Sequence, residues 1–171
     1  CIDDIYKNLV LDSPIIFDVG AHEGESILRF QNIFSKSQIY SFEPQKIEYK
    51  KIIDYKFLDS KVYNIALSDK EGGAEFFITA KTSNSSLLDI NSTSYKAKNA
   101  ARKRGLDPEN FVQEKVIVKT ERGDDFCEKN NIKKIDILKI DTQGNNSLVI
   151  KGFKKMIDEK RIDVIETEVV L

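Results

Sequence analysis

The sequence contains little of what metal centres and disulfide scaffolds need. Of its 171 residues, one is histidine (His22) and two are cysteines (Cys1 and Cys127), which lie far apart and form no CxxC motif. A histidine-rich metal cluster is therefore excluded and no metal site is predicted. A reducing, cytoplasmic setting is the expectation from this cysteine usage.

Strong net charge and long apolar runs are also absent. The 27 Lys and Arg residues nearly balance the 28 Asp and Glu residues, so a net charge of -1 gives no reason to expect nucleic acid or an anionic membrane as a partner. No apolar run approaches the roughly 20 residues of a membrane-spanning helix, and the first residues do not form a signal peptide. The length fits one domain, 1–171, and a first residue other than Met suggests a fragment of a longer chain.

A strand, a glycine turn and a helix are predicted near the N-terminus. The apolar run 15–19 is typical of a buried parallel strand, and it gives way at Gly20 and Gly24 to an amphipathic helix over 26–34. Glycine lets the backbone turn sharply and lets a ligand approach it, and free N–H groups at a helix start favour electron-rich groups. This turn is thus a candidate for docking a nucleotide-like ligand.

The next segment, 38–44, adds a carboxylate beside this turn. It is predicted to be a strand that stops at Pro44, which lacks an N–H donor. Glu43 follows Gly20 by 23 residues (43 minus 20), near the ~20-residue offset at which an acid binds ribose hydroxyls in Rossmann-type folds. The alternative is a surface acid at a strand end, followed by a turn proline.

The rest of the chain alternates between helices and strands, which predicts a parallel sheet covered on both faces. The other expected strands are 61–67, 135–141 and 162–167, and the other expected helices are 2–10, 47–57, 123–131 and 145–157. The predicted architecture is a doubly wound, mostly parallel, Rossmann-like α/β sheet with strand order 3-2-1-4-5.

An insertion is predicted between the third and fourth strands of this sheet. A strand over 74–79 follows a turn too closely for a helical crossover, so a hairpin-like extension is expected, and a half-exposed strand over 115–120 should pair with it. The polar segment 81–110 is interpreted as a solvated lid or, alternatively, as a gate over an acidic or phosphorylated substrate.

The predicted strands end on residues suited to a binding site, at the edge where open α/β sheets bind ligands. These residues are Asp18, Gly20, Glu43, Ala66, Asp141 and Glu166. Desolvating several carboxylates beside one crevice is costly unless a ligand or a partner satisfies them. Their convergence therefore indicates a site.

Four motifs in series resemble those of the FkbM family of S-adenosylmethionine-dependent methyltransferases, over nearly the whole chain. They are 17–24 (FDVGAHEG), 41–44 (SFEP), 64–69 (NIALSD) and 138–144 (LKIDTQG) with 151–152 (KG). The resemblance implies a class I methyltransferase fold, S-adenosyl-L-methionine as the cofactor, and O-methylation of a hydroxyl on a sugar or small metabolite.

The resemblance also implies roles for individual residues. Glu43 would accept hydrogen bonds from both ribose hydroxyls, as the geometry of a carboxylate allows. The remaining cofactor-binding residues would be Asp18, Gly20, Ala21, His22 and Gly24 on the methionine and ribose side, Pro44 and Asn64 beside them, Ala66, Leu67 and Asp69 near the adenine, and Asp141 at the sulfonium.

Methyl transfer from a sulfonium needs mainly in-line positioning of the acceptor, plus removal of its proton. Asp141 is the first candidate for the catalytic base and His22 the second. Alternatively, Asp141 serves only as an acid at the N-terminus of the next helix, and His22 packs in the glycine turn or bonds a backbone carbonyl.

The chain departs from the family pattern in two places. Asn146 stands where an acid is common, and an amide cannot take a proton near neutral pH, so an acid–base or metal role there would be lost or moved. The sequence also ends soon after the fifth strand, so the C-terminal part of the fold is expected to be missing. The uncovered edge strand would then be a surface for homodimerisation. Its apolar residues are Val164, Ile165, Val169, Val170 and Leu171.

Two other functions stay open at this point. An NAD(P)-dependent oxidoreductase shares the fold, but its fingerprint usually has three closely spaced glycines, and His22 occupies the middle position here. The second alternative is a cofactor-binding module without catalytic activity, which Asn145, Asn146 and the missing C-terminal part of the fold would favour. The acceptor would be a small molecule or a glycan, and the sequence does not identify it further.

Overall fold

The computed structural model describes residues 2–10, 12–55, 60–79, 85, 87 and 112–167. Most of the predicted lid, 81–110, and the apolar residues 169–171 lie outside this part of the chain. The helices and strands in chain order are α1 (Ile2–Leu9), β1 (Ile15–Val19), α2 (Glu25–Ile33), β2 (Gln38–Phe42), α3 (Lys46–Asp54), β3 (Ser60–Tyr63), β4 (Ala66–Ser68), β5 (Gly72–Thr79), β6 (Val112–Arg122), α4 (Gly123–Lys129), β7 (Ile135–Ile140), α5 (Asn146–Gly152), α6 (Lys154–Asp158) and β8 (Ile162–Thr167).

A five-stranded parallel sheet forms the centre of the fold. Its strand order is β3-β2-β1-β7-β8, and every neighbouring pair is parallel. Counting these five strands alone, the order is 3-2-1-4-5, so the predicted topology is confirmed. Strand order reverses at β1, which lies between β2 and β7, and open α/β sheets bind ligands at such a switch point.

Helices cover both faces of this sheet, and one apolar cluster fills each face, because successive residues of a strand point to opposite sides. The first cluster includes Phe17, Phe42, Phe126, Leu138, Val149 and Phe153. The second includes Tyr6, Ile16, Ile27, Phe30, Ile39 and Ile137. The predicted doubly wound α/β architecture is therefore confirmed.

The predicted third strand, 61–67, is wrong as a single element. It divides into β3, in the parallel sheet, and β4, in a second sheet of order β4-β6-β5. The break is at Asn64, whose side-chain amide donates to the carbonyl oxygens of Glu43 and Pro44, both at 2.9 Å. These bonds hold the end of β3 to the end of β2, and the chain then leaves the parallel sheet.

The second sheet contains the predicted insertion. β5 and β6 pair antiparallel, with Ala74 opposite Val118, which confirms the predicted pairing of these two segments. β6 also pairs in parallel with β4, so it lies between β4 and β5. The insertion is thus a three-stranded sheet that includes part of the predicted third strand.

The predicted helix 145–157 is likewise two helices, α5 and α6, which are separated at Phe153. The ring of Phe153 is fully buried and lies so close to Gly123 that a Cβ there would be 2.3 Å from it. This contact packs the ring of Phe153, at the break between the two helices, against α4.

β8 is an edge strand within the described part of the sheet, and Ile165 on it is 40% exposed. Homodimerisation through this edge stays a prediction. Among the described residues, no helix has the length and hydropathy of a membrane span.

Candidate functional site

A cleft of about 410 Å³ lies beyond the carboxyl ends of β1, β2 and β7. Its volume is within the range of roughly 300–1,000 Å³ that is usual for small-molecule and cofactor sites. Eight of the residues implied for the cofactor line it, namely Gly20, Ala21, His22, Glu43, Pro44, Ala66, Leu67 and Asp141. The lining formed by the described residues does not include Asp18, Gly24, Asn64 or Asp69.

The glycine turn joins the ends of three strands. Gly20 has φ +86, and a Cβ on it would lie 2.0 Å from the carbonyl oxygen of Asp141, so only glycine fits at this point. The N–H groups of Gly20 and Ala21 both donate to the carbonyl oxygen of Phe42, at 3.0 and 3.2 Å. The turn after β1 is thereby fixed against both β2 and β7.

Glu43 directly follows β2, lies beside this turn and is only 3% exposed. Its Oε2 accepts a hydrogen bond from the backbone N–H of His22 at 2.9 Å, and its Oε1 accepts one from that of Gln45 at 2.7 Å. Burial raises the pKa of Glu43 to about 7, although these two hydrogen bonds oppose the rise. Each carboxylate oxygen keeps a lone pair for a further donor. We call Gly20, Ala21, His22 and Glu43 the diol end of the cleft.

Asp18 lies beneath the turn and is fully buried. Its Oδ2 accepts a hydrogen bond from the Ser26 hydroxyl at 2.6 Å, and its Oδ1 is 3.0 Å from Nζ of Lys139. Lys139 also donates to the carbonyl oxygen of Gly20 at 3.3 Å. Burial lowers the pKa of Lys139, but the charge of the nearby Asp18 carboxylate outweighs this effect and the pKa of Lys139 is raised, so Lys139 stays protonated. Asp18 therefore acts on the turn through Lys139 and Ser26.

Asp141 lines the cleft at the end of β7, where the structure leaves it partly exposed. Its Oδ1 accepts a hydrogen bond from the Gln143 side chain at 3.0 Å. Gln143 adopts φ +53 and Gly144 φ +102, so a second left-handed turn leads from β7 into α5. This turn presents the Asp141 carboxylate at the switch point.

Asn146, which replaces the common acid, connects the ends of β7 and β8. Its Oδ1 accepts hydrogen bonds from the backbone N–H and the hydroxyl of Thr142, at 3.1 and 2.7 Å, and its Nδ2 donates to the Thr167 hydroxyl at 3.0 Å. Both polar atoms of the Asn146 amide thus form hydrogen bonds within the fold.

A second group of charges lines the cleft away from Glu43, and we call Arg29, Glu166 and their partner Tyr6 the charged end. Arg29 Nη1 is 3.2 Å from Glu166 Oε1, and Arg29 Nε is 2.9 Å from Asp3. The Tyr6 hydroxyl donates to Glu166. The pKa of Tyr6 is raised, first by burial and then by the bond to Glu166. Arg29 also lies over the rings of Tyr6 and Phe30, at 5.4 and 5.2 Å from their centroids.

An apolar wall from the second sheet completes the lining. Phe76 of β5 packs with Ala66 of β4, and Leu87 packs against this cluster. All three residues line the cleft. A flat apolar group can therefore lie against this wall.

Several cleft residues were not predicted from the sequence, among them Ser26, Arg29, Phe76 and Lys139. Two signals were present in the sequence. Ser26 and Arg29 are three residues apart in a helix that starts at the glycine turn, which places them on one face. Lys139 is a charged residue inside an apolar strand, two positions before Asp141, and so on the same side of the sheet.

One group of described side chains has the composition of a metal site. Ligand atoms of His22, Glu23 and Glu48 lie within 4.8 Å of one another. Lys51 already pairs with both carboxylates, at 2.8 Å from Glu23 and 2.9 Å from Glu48. The ammonium group accounts for the clustering of the two acids without a metal.

Comparison with known proteins agrees with this geometry. The family described as "Methyltransferase FkbM domain" matches residues 18–170. A 2-O-methyltransferase, NoeI, from Sinorhizobium fredii is 27% identical over 152 residues, which cover 86% of this chain and 60% of NoeI. The chain thus spans about 60% of the length of this relative.

A solved structure, methyltransferase FkbM from Methylobacillus flagellatus KT, has the same fold. It matches with a TM-score of 0.56 and 15% identity, over 92% of this chain and 34% of that one. The strand order, the glycine turn and the family match lead to one conclusion: the chain belongs to the methyltransferase FkbM domain family.

Proposed function

We propose that this chain binds S-adenosylmethionine in the cleft and transfers its methyl group to a hydroxyl of a sugar or small metabolite. Membership of the methyltransferase family supports methyl transfer. The 2-O-methyltransferase relative supports oxygen as the acceptor atom. The observation that carries the proposal is the buried carboxylate of Glu43 at the glycine turn.

The donor set of the cleft fits a sulfonium nucleoside. Both oxygens of Glu43 already accept one backbone N–H each, so the carboxylate is held in one orientation, with a free lone pair on each oxygen for a vicinal diol. The apolar wall of Ala66, Phe76 and Leu87 suits a flat base. The diol end would hold the ribose, and the wall would hold the base.

The residues near Asp141 would handle the acceptor. When bound, the sulfonium supplies an activated methyl group, so the protein has to orient the hydroxyl and accept its proton. Asp141 is the candidate base, because it lines the cleft and Gln143 fixes one of its oxygens. Lys139 stays protonated beside Asp18, and Glu166 is paired with Arg29, so both are less suited to take a proton.

Binding of the cofactor is tested by calorimetric titration with S-adenosylmethionine, S-adenosylhomocysteine and NAD. We expect the two sulfur nucleosides to bind and NAD not to bind. Glu43→Ala should weaken S-adenosylhomocysteine binding by about 10- to 100-fold, because charge-assisted hydrogen bonds are lost. Glu23→Gln, which changes an exposed carboxylate within the glycine turn, is the control. Preference for NAD, or equal affinity of the Glu43→Ala variant, would overturn the proposal.

Catalysis is tested separately with glycans and phenols as acceptors, by detecting the added methyl group by mass spectrometry. Asp141→Asn keeps the shape of the side chain but removes the base, so we expect kcat to fall by about 100-fold or more while S-adenosylhomocysteine affinity stays similar. An unchanged kcat would exclude Asp141 as the base without affecting the cofactor assignment.

A further inference from the structure

We propose that the side-chain amide of Asn145 binds the hydrogen-bonding edge of the adenine and is the residue by which the cleft selects its nucleobase. The inference rests on the proposed function, since it takes the ligand to be a sulfonium nucleoside, and it adds a specificity-determining residue.

The amide of Asn145 is buried in the cleft lining without a partner. The residue is 1% exposed and lines the cleft, yet neither its Nδ2 nor its Oδ1 forms a hydrogen bond with any described residue. Buried polar atoms nearly always have partners, and an unsatisfied pair destabilises the fold unless another molecule satisfies it. An amide whose two polar atoms have no hydrogen-bond partner, in a residue that lines a cleft, is therefore suited to recognise a ligand.

The neighbouring asparagine shows that the local backbone does not force this arrangement. Asn146 uses both atoms of its amide, on Thr142 and Thr167. The two successive residues thus differ: the amide of Asn146 connects two strand ends, and that of Asn145 is unpaired in a residue that lines the cleft.

The chemistry of an amide selects among the polar groups of the proposed ligand. Asn145 presents a donor beside an acceptor, so its complement is an acceptor beside a donor. An ammonium group only donates and a carboxylate only accepts, so either would satisfy one of the two atoms. The adenine edge carries a ring nitrogen next to the 6-amino group, which is the arrangement that asparagine reads in nucleic acids by two hydrogen bonds.

The position of Asn145 agrees with a base. It directly precedes α5. The other end of α5 packs on β4, where a Cβ on Gly152 would be 2.1 Å from the carbonyl oxygen of Ser68. β4 also supplies Ala66 and Leu67 to the cleft lining. The apolar wall can contact the face of a flat base while the amide contacts its edge.

The test uses Asn145→Leu, which keeps a similar volume and removes both polar atoms. We expect the melting temperature of the ligand-free protein not to fall, because two unsatisfied buried atoms are removed. The Kd for S-adenosylhomocysteine should rise by about tenfold or more, as for loss of one two-bond contact to a base. Asn146→Leu is the matched control, with the opposite expectation: a lower melting temperature and similar affinity in the folded protein.

A second measurement compares two ligands on the wild-type protein, and this comparison does not depend on whether the variant folds. The analogue of S-adenosylhomocysteine that lacks the 6-amino group should bind the wild type about tenfold more weakly than S-adenosylhomocysteine, whereas Asn145→Leu should bind both alike.

The outcomes separate this inference from the proposed function. If the wild type does not bind S-adenosylhomocysteine, both fail. If wild type and Asn145→Leu bind it equally, or if the wild type does not distinguish the two analogues, the adenine assignment is overturned and the proposed function stands. If Asn145→Leu has unchanged S-adenosylhomocysteine affinity but a raised KM for the acceptor, the amide contacts the acceptor instead. This outcome also overturns the adenine assignment.

Discussion

The diol end and the charged end of the cleft are built differently. At the diol end, backbone N–H groups of the turn hold the buried carboxylate of Glu43, whose partner His22 is 21 residues away in sequence. At the charged end, flexible side chains hold one another, and Arg29 and Glu166 are 137 residues apart. Arg29 and Glu166 are partly exposed, at 29% and 24% of their side chains. The first end therefore depends on backbone donors that are close in sequence, whereas the second depends on side chains from distant parts of the chain.

The largest expected difference between the two ends comes from adding a methyl group to the turn at the diol end. Gly20→Ala should lower the free energy of unfolding by about 2–4 kcal/mol, because it combines left-handed strain with a clash against the Asp141 carbonyl. Urea titration measures the change. Gly72→Ala is the control, since φ is +142 there but nothing lies within 4 Å of the added Cβ. Equal losses in the two variants would mean that the approach of the turn to β7 contributes nothing.

The pH dependence of ligand binding sharpens the comparison, because it reports on the diol end alone. Only ionised Glu43 can accept two ribose hydroxyls, and its pKa is about 7. S-adenosylhomocysteine affinity should therefore rise by roughly tenfold between about pH 6 and pH 8. Calorimetry at a series of pH values measures this, and Glu43→Gln should flatten the profile. A profile that is the same in wild type and variant would assign the titration to another group.

The same carboxyl group affects folding stability in the opposite direction. Burial raises its pKa from the ordinary value of 4.5 to about 7, so the folded protein binds the proton more tightly than the unfolded chain. The contribution of Glu43 to stability is then fully present at low pH and is lost as pH rises through about 7.

The smallest expected effect is at the charged end. Tyr6→Phe removes the hydroxyl that donates to Glu166 and should cost about 1–2 kcal/mol of unfolding free energy. The affinity for S-adenosylhomocysteine should stay within about twofold, because Tyr6 is not among the described residues that line the cleft. Urea titration and calorimetry measure the two quantities, and Tyr49→Phe on α3 is the control. A loss of affinity as large as the loss of stability would place the charged end on the cofactor side.

The sequence predicted the diol end well because its determinants are local. The two glycines, the apolar run before them and the offset to Glu43 all lie within 30 residues (15–44), and each has a direct effect on the backbone. The alternation of helices and strands likewise predicted a parallel sheet covered on both faces, and the strand order agreed with the fold that the family resemblance implied.

The charged end and the element breaks depended on contacts that the sequence does not show. The division of the third strand comes from the Asn64 amide reaching two carbonyl oxygens at the end of β2. The helix break at Phe153 directly follows Gly152, a residue that weakens a helix. In the third strand, a tertiary contact overrode a continuous apolar pattern.

The pairing of β5 with β6 has a consequence for how such a protein can diversify. Thr79 and Val112 are partners at the end of this ladder, after a register shift between Ile78 and Thr79. The segment that connects these two positions therefore begins and ends at adjacent residues of the β5–β6 ladder. Insertions, deletions or exchanges between them need not change the pairing of either sheet, so the chain can vary there while Glu43 keeps its place at the glycine turn.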